Sequence, residues 1–548
     1  MTKIYKFKIC VVAALVLIFC GHGAVASTVQ VNIDLSQVNN QAVNLDSVYL
    51  LVSGKCSQDS PYPGKPCYIS FDQSGEPTYK PASSVKSSKD ESVLLSKLPK
   101  DGKQAYIKVP HLESGRIWLS IGKPLDMKTN KDGSIEQPNV TPDVLNAMNA
   151  NSAILYDKFE FTFGLKDGGY KTVINTTSVD FASLPYMIHQ KDTVPVMPAA
   201  GYGRGGDMLA QMEKLVPDWS SSSWAKLVQY EYIDNQPQVG NGATDAAAKN
   251  LLRIHAPGRD SMKQYWPKDY LVPYLEKIQQ HYTAQNKQGL RVTINTDQST
   301  WYGTFSGSVL SFNKYSAKGN IIATESFDFS DDSGHSVSDS IFMGAEGIFS
   351  ASGQNPPTAK DELAKALTAT IQAGLLMRTK SVLPIIPPGK DQISYTDLSP
   401  EVVKRVERKY LYNQGGNFVS GYTPNICGTG GEPCTNIYAA AMHAFGDAVT
   451  YPNVYGFAYA DYLGLDSTAT SSNFSPATVI ISFGDMQGRV VEHPGKVRIQ
   501  SAIDGTVTLV RTEGTSGKID AELRVIGANT ALAFSFADGE GGRISPRW

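Results

Sequence analysis

Two carboxylates, Glu160 and Asp180, flank a stretch of sequence that reads as a β-hairpin. One arm is Tyr156-Asp157-Lys158-Phe159-Glu160-Phe161-Thr162-Phe163. The turn is Lys166-Asp167-Gly168-Gly169, and the other arm is Asn175-Thr176-Thr177-Ser178-Val179-Asp180-Phe181. The two acids are equidistant from Tyr170, so a loop centred there places them opposite each other or nearly so. Opposed residues on neighbouring strands lie ~4.5–5.5 Å apart, and a bulge or diagonal pairing widens the gap. Two like charges that close push their pKa values apart, leaving one group as acid and one as base. Hydrolysis of a glycosidic bond needs such a pair. One carboxylic acid protonates the leaving oxygen, and a second carboxylate activates water or attacks the sugar. Acidic residues on exposed strand faces are common, so the hairpin alone supports this chemistry weakly.

The elements that must hold the pair are mostly strands. Val29, Val31, Ile33 and Leu35 alternate at period two, as do the stretches around 105–109 and 116–121. Up to about residue 187 no strong helical period occurs, which predicts an all-β sandwich or barrel. The middle is mixed α/β. Helices are expected over 207–216, 269–282, 400–410 and, most clearly, after Thr358. There Asp361 completes a capping box, and Leu363, Leu367, Ile371 and Leu375 follow at i+4 spacing. A short helix is expected after 436, followed by aromatic strands over 454–462. Alternation returns over 478–548.

Several segments, in order, resemble glycoside hydrolase family 64, the β-1,3-glucanases with a thaumatin-like barrel. They are Ser114-Gly115-Arg116-Ile117-Trp118-Leu119-Ser120-Ile121-Gly122-Lys123-Pro124-Leu125, Phe159-Glu160-Phe161-Thr162 and Asn175-Thr176-Thr177-Ser178-Val179-Asp180-Phe181. Asp269-Tyr270-Leu271 to Tyr282, Asn436-Ile437-Tyr438 to His443 and Tyr455-Gly456-Phe457-Ala458-Tyr459-Ala460-Asp461 complete the set. The resemblance spans roughly 28–486. It implies a mainly β protein, with a thaumatin-like barrel or sandwich domain and a mixed α/β domain flanking an open groove.

The expected division is a signal at 1–26, a first part of the barrel at 27–189, the α/β domain at 190–420, a return segment at 421–486 and a C-terminal β extension at 487–548. The implied activity is endo-acting, inverting hydrolysis of β-1,3-glucan. Glu160 maps onto the general acid and Asp180 onto the general base. Thr162 and Thr177 sit beside them as sugar contacts. An inverting pair stands ~6.5–9.5 Å apart, so a twist or bulge between the two is expected. Ala460 departs from the family, which has an acid there; Asp461 remains. Ala460 keeps open the alternative of a non-catalytic, thaumatin-like β-glucan-binding protein. A secreted interaction protein that uses the barrel only as a scaffold is a further rival.

Aromatic rings can stack on the apolar faces of sugars. Among Trp118, Trp301, Tyr302, Phe305, Tyr455 and Tyr459, the preferred platforms are Tyr302 and Tyr455, with Tyr459 and Asp461 as further substrate contacts. Arg116 and His443 lie in family-like segments. A buried Arg that pairs with an acid, or a satisfied helix histidine, explains them equally well.

Lys3, Lys6 and Lys8, the apolar run from Ile9 to Cys20 and the small-x-small Ala24-Val25-Ala26 read as a cleaved secretory signal. Lipidation at Cys20 fits less well, because Phe19 precedes it. A secreted protein, extracellular or periplasmic and free of the membrane, is expected. Without the three signal lysines the chain carries 47 basic and 52 acidic residues. That balance gives no electrostatic reason to hold nucleic acid or an anionic membrane, and suits a neutral polysaccharide partner. A monomer is expected, with no cofactor. Scattered histidines and the lack of C-x-x-C or H-E-x-x-H predict no metal site. Beyond the signal the cysteines are Cys56, Cys67, Cys427 and Cys434. They allow three connectivities, of which the near pairs 56–67 and 427–434 are the simplest.

Overall fold

The computed structural model describes residues 28–36, 38, 43–136, 149–166, 169–191, 200–201, 205–233, 236–239, 251–259, 262, 265–330, 336–344, 347–350, 352–354, 356–376, 393–406, 411, 426–427, 432–443, 455–464, 469–471 and 478–483, and the strands at 497–501, 507–511, 519–524 and 531–536. The expected signal at 1–26 lies outside the described residues.

Strands dominate. A six-stranded sheet runs in the order Ala200–Gly201, Tyr186–Lys191, Thr478–Phe483, Val29–Asp34, Gln104–Val109, Lys100–Asp101. The Thr478–Phe483 strand pairs parallel to Val29–Asp34, so the chain returns late to lie beside its first strand. A second sheet runs Ala469–Ser471, Gly169–Asn175, Leu155–Lys166, Leu112–Ile121, Val48–Cys56, Pro66–Phe71, Pro77–Pro81, with Val93–Leu94 also on Val48–Cys56.

The two sheets share one core. Val29, Val31 and Ile33 from the first meet Leu50, Val52, Phe159, Phe161 and Phe163 from the second. Period-two alternation explains this, because every second side chain of a strand faces inward. Gly115 is required where the Leu112–Ile121 strand bulges: a Cβ there would lie 2.5 Å from the Phe161 ring. On the outer face of the second sheet a smaller cluster gathers Leu51, Tyr68, Trp118, Tyr156 and Phe181.

Two more sheets complete the α/β part. One runs Phe181–Ala182, Leu251–His255, Val228–Ile233, Gln236–Val239. The other runs Ile321–Asp328, Val309–Tyr315, Thr300–Ser306, Gln288–Thr293, Ser394–Asp397. Against them pack helices Gly205–Leu215, Val272–His281, Val337–Met343 and Ala359–Gln372. The last carries the expected capping box between Thr358 and Asp361. Val272–His281 is shorter than the expected 269–282, and Pro273 stands in its first turn, where its missing N–H costs nothing. The expected helix at 400–410 is described only as Pro400–Val403. Ile437–His443 is the short helix expected after 436.

The expected aromatic strands at 454–462 are not strands. Residues 455–459 turn, and Ala460–Leu463 is a 3-10 helix between Tyr459 and Gly464, both left-handed at φ 70° and 67°. A strand cannot pass through a left-handed residue, so tertiary packing overrides the alternation. The bonded cysteine pairs are Cys56–Cys67 and Cys427–Cys434. Among the described residues no helix is long and apolar enough to cross a membrane. No group of three or more His, Cys, Asp or Glu among them could hold a metal ion.

Candidate active site

Along the Leu155–Lys166 strand, Phe159, Phe161 and Phe163 face the core. Alternation therefore sends Lys158, Glu160 and Thr162 to the opposite face. Glu160 stands between Arg116 on one neighbouring strand and Asn175 on the other. The Arg116 guanidinium donates to Glu160 Oε1, in a pair that is about a quarter to a third exposed.

The hairpin register differs from the sequence expectation. Gly169 pairs with Lys166, and the residue opposite Glu160 is Asn175. Asp180 lies beyond the end of the ladder. The segment between is bent and pinned. Asn175 Oδ1 accepts from Thr177 N at 2.9 Å, and Thr177 takes a positive φ of 31°, rare for a β-branched residue. The Tyr186 hydroxyl shares its one proton between Thr176 O, at 2.8 Å, and Lys158 O, bridging bend and strand. The Tyr438 hydroxyl donates to Ser178 O at 2.6 Å, Ser178 N to Tyr455 O at 2.8 Å, and Arg259 Nη2 to Val179 O at 2.9 Å. Beyond the bend, Asp157 Oδ2 accepts from Ser183 N and Leu184 N, both at 2.9 Å.

These ties deliver Asp180 to Lys158, two residues from Glu160 and on the same face. Lys158 Nζ donates to Asp180 Oδ2, and Arg259 Nη2 lies 3.4 Å from Oδ1. Lys158 is 1 % exposed and Asp180 8 %. The Lys158 ammonium also lies over the Trp118 and Phe181 rings, 5.6 and 5.0 Å from their centroids. Burial alone would raise the Asp180 pKa. The Lys158 ammonium and the Arg259 guanidinium more than reverse this, Arg116 adds to them, and the carboxyl is held well below the usual range. The Arg116 charge thus reaches both acids. His255, opposite Phe181 on the neighbouring strand of the same sheet, is held neutral with a pKa of about 3 by its burial first and by the nearby Arg253 charge second.

Glu160 opens onto a cavity of about 540 Å³, together with Val173, Asn175, Thr177, Val179, Lys404, Tyr455, Ala458, Tyr459 and Asp461. A second cavity of about 340 Å³ shares Lys404 and Asp461 with the first. It runs on to Tyr462, Glu362, Lys365, Pro357, Pro400, Asn295 and Thr296. The two form one groove. Tyr455 Oη donates to Asp461 Oδ1 at 3.3 Å, and Lys365 Nζ lies 5.7 Å from the Tyr459 ring centroid. Gly344 leaves space beside the Tyr459 loop: a Cβ there would lie 2.8 Å from Ala458 Cβ.

The structure therefore gathers Glu160, Thr177, Tyr455, Tyr459 and Asp461 around one groove. Asp180 is not on the lining: it is buried against Lys158 and Arg259, and its neighbours Thr177 and Val179 reach the groove instead. Thr162 is not on the lining; its hydroxyl accepts from Ser114 N at 3.3 Å. Tyr302 is on the five-stranded sheet, against Tyr315 and Tyr395, and lines neither cavity. Trp118, Trp301 and Phe305 are buried. Ala460 has no exposed surface and packs in the core between the groove-lining Tyr459 and Asp461. Sequence reasoning did not single out Lys158, Arg259, Asn175 or Lys404. Lys158 had a signal: it stands two residues from Glu160, on the same strand face. Arg259 and Lys404 come from distant segments with no such signal.

The sequence profile of glycoside hydrolase family 64, described as β-1,3-glucanase, matches residues 31–395. The chain belongs to this family. It is a glycosidase, and the β-1,3-glucanases of family 64 act on β-1,3-glucan. One similar solved structure is a laminaripentaose-producing β-1,3-glucanase in complex with laminaritetraose. It is 21 % identical, with a TM-score of 0.55, and the match covers 84 % of this chain and 99 % of that one. Another is a family 64 β-1,3-glucanase domain from Clostridium beijerinckii. It is 17 % identical, with a TM-score of 0.50, covering 84 % and 98 %. At these identities the likeness concerns the fold. No curated protein matches the chain in sequence.

Proposed function

We propose that this glycosidase is exported and cleaves internal bonds of β-1,3-glucan with inversion, with Glu160 as general acid and Asp180 as general base. The observation that carries the reading is the Lys158 clamp. Lys158 and Glu160 project from one strand face, so the acid that Lys158 grips is brought beside the acid that opens on the groove. Glu160 would deliver a proton to the leaving glycosidic oxygen. Asp180 would take one from a water attacking the opposite face of the sugar, the division of labour of an inverting pair. Holding Asp180 below the usual carboxylate range keeps it ionised throughout the working pH range, as a base must be. It also weakens its basicity, so catalysis relies on position and on the desolvated setting. Tyr455 and Tyr459 would stack on sugar faces, and Thr177, Asn175 and Asp461 would bond hydroxyls. An open groove contiguous with a second cavity suits a polymer bound along its length.

The test is proton NMR of the first products from linear β-1,3-glucan. The expected outcome is a mixture of oligosaccharides whose new reducing ends appear first as the α-anomer. A first-formed β-anomer would overturn the inverting assignment, and release of glucose alone would overturn internal cleavage.

A further inference from the structure

The open face of the five-stranded sheet holds an aromatic stripe that the groove does not use. Tyr395 lies over Gly289, where a Cβ would approach its ring to 2.6 Å, so the glycine makes room for the ring. Tyr302 packs against Tyr395 at 5.0 Å between centroids and against Tyr315 at 5.9 Å. Ile321 stands opposite Tyr315 on the edge strand and is 53 % exposed. With strands ~4.8 Å apart, the accessible part of the stripe, from Ile321 to Tyr302, spans three strands, roughly 10 Å, and Tyr395 lies buried beyond it.

Its surroundings are neutral and rich in hydroxyls. Thr324 bonds Asn313 at 2.7 Å and Ser311 bonds Ser326 at 3.0 Å, both across strands. Arg291 and Asp397, the charged pair beside the stripe, neutralise each other. One end of the sheet meets the groove. Asn295 and Thr296, which line the second cavity, form the turn between the Gln288–Thr293 and Thr300–Ser306 strands. Thr293 and Thr300 pair their hydroxyls at 3.0 Å beside that turn, and Tyr302 follows two residues on, on the same face.

We infer that this face is a second binding surface for a neutral β-glucan chain, continuous with the groove and holding polymer outside it. The half-buried Tyr302 and Tyr315 rings, backed by the buried Tyr395, offer apolar surface to sugar faces, and the hydroxyl ladders beside them offer donors and acceptors to sugar hydroxyls. The charged pair beside the stripe, Arg291 and Asp397, is mutually neutralised, which suits an uncharged polymer better than a polyanion. The choice of glucan rests on the function proposed above.

The test uses the full chain with Glu160→Gln, to suppress digestion, and measures cosedimentation with insoluble linear β-1,3-glucan. Replacing Tyr302 and Tyr315 together by Ser is expected to weaken retention by about tenfold. Asn313→Glu, which adds an unpaired charge without removing a ring, is expected to weaken it in the same direction. Thermal unfolding of each variant checks the fold. In the chain with Glu160 restored, the Tyr302/Tyr315 variant should lose turnover of insoluble glucan relative to soluble oligosaccharide by at least about fivefold. Unchanged retention in both variants would overturn the inference. So would a wild-type dimer that either variant dissociates, because the exposed Ile321 and Ile322 edge would then be covered by a second copy. Failure of the wild type to cleave soluble β-1,3-glucan refutes the proposed function instead, and is read independently of retention.

Discussion

Replacing Lys158 with Met removes the ammonium that grips Asp180 and keeps most of the side-chain volume. At an effective dielectric of about 20, a charge pair at ~4 Å is worth about 4 kcal/mol, and 1.36 kcal/mol corresponds to one pKa unit. Arg259 remains, and Arg–carboxylate neighbours alone lower a carboxyl by roughly 1–3 units. The Asp180 pKa should therefore rise, as burial, its largest opposing influence, loses its main counterweight.

A general base works only when ionised, so activity is lost as pH falls through its pKa. In the wild type that limb lies well below 3.8; in Lys158→Met it should climb toward the measurable range. The assay is kcat/KM on soluble β-1,3-gluco-oligosaccharide across pH 3–8, alongside circular dichroism. The same change leaves a buried carboxylate short of its partner, which costs about 3–5 kcal/mol of stability. A folded Lys158→Met enzyme whose acid limb coincides with that of the wild type would refute the reasoning. It would mean that the limb belongs to another group.

Four further outcomes follow from the same contacts. Asp180 has a depressed folded pKa, so its contribution to stability is complete above the unfolded value near 3.8 and is lost as pH falls below it; acid unfolding followed by fluorescence should show Asp180→Asn less sensitive in that window. Arg116→Met should lower kcat about tenfold by releasing Glu160, with a stability change within about 1 kcal/mol because that pair is partly exposed, measured by kinetics and thermal unfolding. Thr358→Ala should cost about 1 kcal/mol by removing the cap on Ala359–Gln372, read by denaturant titration. Replacing Cys56 and Cys67 by Ser opens a loop of sequence separation 11 and should cost about 3 kcal/mol in the same titration, if the loop-entropy account holds.

Much of this architecture could be read from local pattern. The alternation of Val29, Val31 and Ile33 and the capping box at Thr358 and Asp361 are features that neighbouring residues impose on one another, so they survive folding unchanged. The register of the 155–175 hairpin could not be read in the same way. Centring the turn on Tyr170 sets Glu160 opposite Asp180, whereas the strands pair it with Asn175, because several Gly and polar residues compete for the turn. The bend at Thr177, held by Tyr186, Tyr438 and Arg259, comes from residues far along the chain. The loop at 455–464 fails for a similar reason: its alternating aromatics resemble a strand, but Tyr459 and Gly464 adopt left-handed backbone in packing against other segments. Lys158 was visible in the sequence. Its importance was not, because a lysine on a strand face is ordinarily solvated, and only tertiary structure buries it on Asp180.

The most direct test of the account is turnover of linear β-1,3-glucan by purified protein, with products resolved by chromatography beside Glu160→Gln and Asp180→Asn. The account predicts oligosaccharides from the wild type and a loss of at least about a hundredfold in each variant, with retention on insoluble glucan preserved. Wild-type turnover by Glu160→Gln or by Asp180→Asn would contradict it.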